Sequence, residues 1–118
     1  QLANVPRPIA VPPAGLLCDL LWSDPVETDG WATNSKRRMS CTFGPDVCQT
    51  FMKRNRIDLL VRAHEAVDGF KFHHQKRVVT VFSAPSYCNF MTNAGAMMVV
   101  EKSLRFSFVI IRPLNKSS

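Results

Sequence analysis

The spacing of hydrophobic positions changes along the chain, and each change marks an expected element. Residues 1–14 carry Pro6, Pro8, Pro12 and Pro13 and no apolar repeat. They predict an extended connector, because proline fixes φ and removes a backbone donor. From Asp24 to Ser40 the chain holds Pro25, Asp29, Gly30 and a basic tripeptide without an apolar period, which reads as a long surface loop. Gly44 then precedes Pro45, and Val47, Cys48, Phe51 and Met52 follow at helical spacing. Glycine at the cap and proline at the first helical position predict a short amphipathic helix over Pro45 to Asn55.

Beyond Asp58 the pattern becomes short β-branched and aromatic runs separated by turn residues. Candidate strands are Leu59 to Ala63, Phe70 to His73, Val78 to Phe82, Ala96 to Val100 and Leu104 to Ile111. Within them Phe70, Phe72 and His74 alternate against Lys71 and His73, and Phe106, Phe108 and Ile110 share one face. Asp68-Gly69 suits a hairpin turn and Glu101-Lys102 another tight turn. The predicted fold is therefore α/β, one short helix followed by a mainly antiparallel β-layer. Such a layer has an apolar face that one helix of 11 residues is too small to cover. Domains are built from two packed layers, so a second half is expected. Without it, Phe82, Met97, Val99, Phe106, Phe108 and Ile110 cannot all be buried.

Composition narrows the classes. With 118 residues, 46% hydrophobic and 20% charged, the chain fits an ordinary globular domain rather than a disordered one. The longest apolar runs, Val78 to Ala84 and Ala94 to Val100, fall well short of the ~20 residues of a membrane helix. The N-terminal prolines stand where a signal peptide would need an unbroken apolar core, so no secretion signal is read. Cys18 and Cys48 lie in apolar or helical settings and read as small buried hydrophobes of a reduced protein, placing it in the cytoplasm or nucleus. The cysteines, with Cys41 and Cys88, show neither a Cys-x-x-Cys nor a Cys/His pairing, and adjacent His73 and His74 do not share a strand face. A structural zinc site is not expected. The net charge of +6 comes from short clusters, Lys36 to Arg38, Lys53 to Arg56 and Lys76-Arg77. They lack accompanying aromatic or groove-reading elements, so solvated loop and helix ends are read in preference to nucleic-acid binding.

Three places carry candidate chemistry: the Asp24 and Arg37 loop, Arg62-Ala63-His64, and Ser83 to Gly95. His64 follows a predicted strand, where a loop can aim an imidazole at a metal or phosphate; taken alone it reads first as a hydrogen-bonded histidine. Tyr87 and Cys88 after Pro85 fit either ligand contact or packing.

An ordered set of motifs goes further. Gly15 to Pro25 (GLLCDLLWSDP), Gly30-Trp31, Cys41 to Gly44 (CTFG), Asp58 to His64 (DLLVRAH), Asp68 to Phe70, Phe82 to Cys88 (FSAPSYC) and Asn93 to Met98 (NAGAMM) occur in sequence. Together they resemble the C-terminal half of type-1 metal-dependent protein serine/threonine phosphatases, from about Arg7 to Pro113, with one-residue shifts in the basic loop and after His64. The resemblance implies a metallophosphatase-type β-sandwich flanked by helices. It makes 1–118 a partial catalytic domain, with 1–14 as connector, 15–113 as the matching segment and 114–118 as a tail.

In that family two divalent metals, manganese, iron or zinc, hold the hydroxide that attacks phosphoserine or phosphothreonine in proteins. Most ligands come from Gly-Asp-x-His-Gly, Gly-Asp-x-Val-Asp-Arg-Gly and Gly-Asn-His-Glu motifs, and none of these strings occurs here. The one matching ligand position is His64. The resemblance implies catalytic positions at Arg37, Tyr87 and Asp24, with Trp22 and Cys88 along the substrate groove. The family's Asn-Asp-Arg-Gly becomes Asn34-Ser35-Lys36-Arg37-Arg38, and the loop after Pro85 loses two acidic residues and a glycine. The resemblance further implies a groove for regulatory subunits bearing Arg-Val-x-Phe peptides, at Leu59, Phe72, Leu104, Phe106 and Phe108. In that groove Phe106 replaces a cysteine. Activity is expected of the full domain rather than of this chain alone, and the alternative is a noncatalytic protein that binds regulators.

Overall fold

The computed structural model describes residues 1–114; the end of the expected tail, 115–118, lies outside the described residues. The chain forms two compact units, 1–55 and 56–118.

The first unit opens with one 3-10 turn, Leu2–Asn4, within the stretch expected to be extended throughout. Two helices follow where the sequence pattern indicates one. Helix α1, Leu16–Trp22, starts after Gly15 at φ +93° and buries Cys18. Its sequence, LLCDLLW, is apolar nearly all round, so no period distinguishes a buried face. Helix α2, Pro45–Asn55, has the expected bounds. It buries Cys48 and Met52 one turn apart, with Sγ and Sδ at 3.6 Å.

The expected loop 24–40 contributes two short strands to a small sheet. Strands β1 (Asp24–Pro25), β2 (Trp31–Thr33) and β3 (Cys41–Phe43) lie in the order β1-β3-β2, with β1 parallel and β2 antiparallel to β3. Strands of two and three residues are too short for an alternating pattern, and backbone pairing to β3 makes them. Gly44 is needed where α2 begins. A Cβ there would collide with the Thr28 carbonyl oxygen and stand 2.6 Å from the Asp29 Cα. That close approach lets the Gly44 N–H donate to the Gly30 carbonyl at 2.9 Å, and the Gly30 N–H to Asp46 Oδ1 at 2.8 Å. Backbone N–H groups donating to the Asp46 carboxylate, Gly30 first and then Val47, hold it below its ordinary range.

In the second unit β4 (Leu60–Arg62), β5 (Phe70–His73) and β6 (Val78–Val81) form a sheet ordered β4-β6-β5. Its central strand buries Val78, Val79 and Thr80 completely, as a strand paired on both sides should. Strand β4 runs parallel to β6 and β5 antiparallel to it. The Asp68-Gly69 pair is consequently not a hairpin tip: β4 neighbours β6, and 63–69 crosses over to β5. Gly69, at φ +75°, donates to the Ala94 carbonyl at 2.9 Å, and Asp68 Oδ1 accepts the Ala94 N–H at 2.7 Å. The hairpin turn lies at His74 to Lys76, all three residues left-handed. Strands β7 (Gly95–Val100) and β8 (Phe106–Ile111) pair antiparallel through the expected turn, where the Glu101 N–H donates to the Arg105 carbonyl at 2.8 Å. The structure is thus an α/β arrangement with mixed and antiparallel sheets. Met97, Val99, Phe106 and Ile110 stay exposed, while Phe82 and Phe108 are half-buried.

Candidate active site

In the first unit the turn after β2 brings the basic segment back over β1. The Arg38 N–H donates to the Asn34 carbonyl at 2.9 Å, closing the turn. Arg37 Nε donates to Asp24 Oδ2 at 2.5 Å and Nη2 to Oδ1 at 3.0 Å, a two-pronged pair with both side chains largely shielded. Of the three basic residues, Lys36 and Arg38 are exposed. The Arg37 guanidinium lies 5.7 Å from the Trp22 ring centroid, within cation–π range. Trp22, Asp24 and Arg37, separate in sequence, therefore meet. The fork grips the two oxygens of a carboxylate of this chain.

Asn34, 2% exposed, completes the group and was not singled out by sequence reasoning. Its Nδ2 donates to Asp24 Oδ2 at 2.8 Å, and its Oδ1 accepts the Arg37 N–H at 3.3 Å. The available signal was its place opening the altered Asn34-to-Arg38 string.

In the second unit His64 is exposed on the turn after β4, at φ +65°, a conformation uncommon for a residue with a side chain. Beside it Arg62 Nη1 donates to Glu65 Oε2 at 2.8 Å. Tyr87 and Cys88 sit on one 3-10 turn, Tyr87–Asn89, in which Ser86, Cys88 and Asn89 all have positive φ. Asn93, 7% exposed, clamps this loop. Its Oδ1 accepts the Tyr87 N–H at 3.0 Å, and its Nδ2 donates to the carbonyls of Ala84 and Ala94. The Tyr87 ring stands edge-on to Phe82, centroids 5.0 Å apart, so packing and partial exposure coexist. Cys88 is exposed, whereas burial pushes the Cys41 thiol above its ordinary value.

Of the expected groove residues, Phe72 and Phe108 come together: Phe108 stacks on Phe70 at 3.9 Å and meets Phe72 edge-on at 6.2 Å. Phe106 packs against Phe108 at 5.9 Å yet remains 43% exposed. Leu104 is 75% exposed on the β7–β8 turn, and Leu59 is half-buried before β4.

The profile of the calcineurin-like phosphoesterases, a metallophosphatase family, matches residues 1–68, more than half the chain, and spans Asp24, Arg37 and His64. The chain belongs to the calcineurin-like phosphoesterase family. A solved protein serine/threonine phosphatase from Saccharomyces cerevisiae, described as similar to human phosphatase PP5, superposes with a TM-score of 0.80 at 27% identity. The match covers 97% of this chain and 39% of that one. The resemblance to metal-dependent serine/threonine phosphatases therefore holds in both sequence and fold.

Calcineurin-like phosphoesterases bind divalent metals. The described residues of this member do not fit such a centre by themselves. Among them no three His, Cys, Asp or Glu side chains converge to hold an ion, and His64 stands exposed beside an Arg62–Glu65 pair. No helix among the described residues is long and apolar enough to cross a membrane.

Proposed function

We propose that this chain carries the phosphate-binding side of a protein serine/threonine phosphatase, with Arg37 meeting phosphate oxygens and Asp24 holding its guanidinium in place. The observation that carries the reading is the Asp24–Arg37 pair seated against Trp22 and buttressed by Asn34. A guanidinium fixed on two sides loses little further freedom when an oxyanion arrives, which is the condition for useful electrostatic stabilisation. Within the first unit Trp22 would line the substrate groove beside Arg37; within the second, Tyr87 would offer its hydroxyl to a phosphate oxygen, His64 would serve as a metal ligand, and Cys88 would face a phosphoserine or phosphothreonine substrate. Two divalent ions, manganese, iron or zinc, belong to the complete family domain. With one matching ligand position, the chain alone is not expected to hydrolyse phosphopeptides.

Trp22 makes the binding step observable, because anything that moves Arg37 changes the charge over its indole. Titrating the chain with a phosphoserine peptide should change tryptophan fluorescence saturably, and Arg37→Ala should remove the response. An identical titration in Arg37→Ala would refute the reading. Metal-dependent turnover by the purified chain that vanishes in His64→Ala would overturn the expected inactivity.

A second reading has its own observation. Exposed Phe106 packs against Phe108 of the Phe72–Phe108 pair, and Leu104 is exposed on the turn before β8, a strand that among the described residues pairs with β7 alone. It makes the protein a noncatalytic binder of regulatory subunits by strand addition. Capture on an Arg-Val-x-Phe peptide, but not on its Phe-to-Ala control, would favour it; equal capture on both would dismiss it.

A further inference from the structure

The face of the second unit's sheet that carries Arg62 and Thr80, cross-strand partners on β4 and β6, also carries Lys71 and His73 of β5. Three hydrogen bonds run along it. Arg62 Nη1 donates to Glu65 Oε2 at 2.8 Å and to Thr80 Oγ1 at 3.0 Å, and Thr80 Oγ1 lies 3.0 Å from His73 Nε2. Thr80 is completely buried and His73 is 7% exposed.

The donor inventory gives this chain a direction. A guanidinium nitrogen has protons and no lone pair to offer, so the Thr80 oxygen accepts from Arg62. We assign the remaining hydroxyl proton to His73, whose Nε2 then presents a lone pair with the ring proton on Nδ1. We propose that His73 and Thr80 are positioning residues that hold Arg62, and through the Arg62–Glu65 pair the turn bearing His64, as an acid-sensitive latch. The inference rests on the reading of His64 as a functional side chain.

Protonation of His73 reverses the chain at its buried end. Nε2 then aims a proton at the Thr80 oxygen, and the hydroxyl proton loses its acceptor inside the sheet, where an unmatched polar group is costly. The new charge also faces Lys71, Arg62 and His74, with Glu65 as the acidic group opposing them. Burial first, and those three basic neighbours after it, hold His73 below the ordinary histidine value despite Glu65. A protonated His73 therefore no longer accepts from Thr80, and the hold on Arg62 weakens.

Nuclear magnetic resonance on the 118-residue chain tests the latch. At pH 7.5 the His73 proton should reside on Nδ1, and Ala63, His64 and Glu65 should show backbone order parameters near about 0.85, the rigid value. Thr80→Val at pH 7.5, or wild type at a pH low enough that the His73 ring resonances show it protonated, should lower them below about 0.6, and Thr80→Ser should restore them at pH 7.5. His73→Gln, whose carbonyl oxygen accepts from Thr80 without titrating, should stay ordered at both pH values. The latch is refuted by a proton on Nε2 at pH 7.5, by unchanged order in a folded Thr80→Val, or by acid loosening that persists in His73→Gln. The wild-type and His73→Gln series decide the matter even if Thr80→Val does not fold. None of these readouts needs metal, phosphate or turnover, so failure of the latch and failure of the phosphatase reading are distinguishable.

Discussion

Removing the Asp24 carboxylate should expose how strongly the first unit depends on one ion pair. Asp24→Ala removes both Asp24 oxygens from Arg37 Nε and Nη2, with the Arg37 side chain 14% exposed, and takes from the Asn34 amide its Asp24 acceptor. Breaking a buried pair from one side costs about 3–5 kcal/mol, and an unsatisfied buried amide about 1–3 kcal/mol. Because both charges keep some contact with water, the lower ends apply and a loss of about 4 kcal/mol is expected. Arg37→Ala should cost less, since Asp24 then retains the Asn34 donor. The double variant should cost little more than Asp24→Ala alone, because the guanidinium that faced Asp24 is gone. Urea unfolding followed by the fluorescence of Trp22 and Trp31, at matched m-values, closes this cycle. A coupling of about 2 kcal/mol is expected; losses that add to within about 0.5 kcal/mol would show that the pair does not hold the loop.

Other expectations follow from single contacts. Gly44→Ala drives a Cβ into the Thr28–Asp29 backbone and should lower stability by more than about 2 kcal/mol; an unchanged unfolding midpoint would show that this backbone yields. His73 has a folded-state pKa below its unfolded one, so the unfolded chain binds the proton more tightly. Its contribution is complete above about pH 6.5 and is lost as pH falls below that value until the folded pKa is passed. Midpoints at pH 7.5 and 5.5 should differ more in wild type than in His73→Gln, and equal differences would remove His73 as the cause. Cys88, exposed, should react with iodoacetamide well before Cys41, whose thiol burial keeps protonated; the reverse order, read by peptide mass mapping, would contradict the geometry.

Much of this protein was legible before its fold. Helix α2 announces itself because glycine, proline and a 3.6-residue period coincide at Gly44 to Met52, and each acts within a few residues of chain. Strands β5 and β6 are legible for the same reason, since Phe70, Phe72 and the Val78-Val79 run carry their own local preference. The ordered motifs from Gly15 to Met98 likewise point to the phosphatase family from residue identity alone. Helix α1 escapes because an apolar helix of 7 residues has no polar face to reveal its period. Strands β1 and β2 escape because strands this short exist only through hydrogen bonds to β3.

What only the tertiary structure decided is which groups meet. The sequence determined that Lys36, Arg37 and Arg38 lie together; the turn closed by Asn34 decided that it is Arg37 of the three that grips Asp24 beside Trp22. It determined that Asp68-Gly69 favours a turn, but the insertion of β6 between β4 and β5 made that stretch a crossover. The exposure of Met97, Val99 and Phe106 and the chain of bonds from Glu65 through Arg62 and Thr80 to His73 have the same origin. Local preferences act over one or two turns of chain, whereas burial and hydrogen-bond partners depend on segments tens of residues away, and only packing selects among the pairings that those preferences allow.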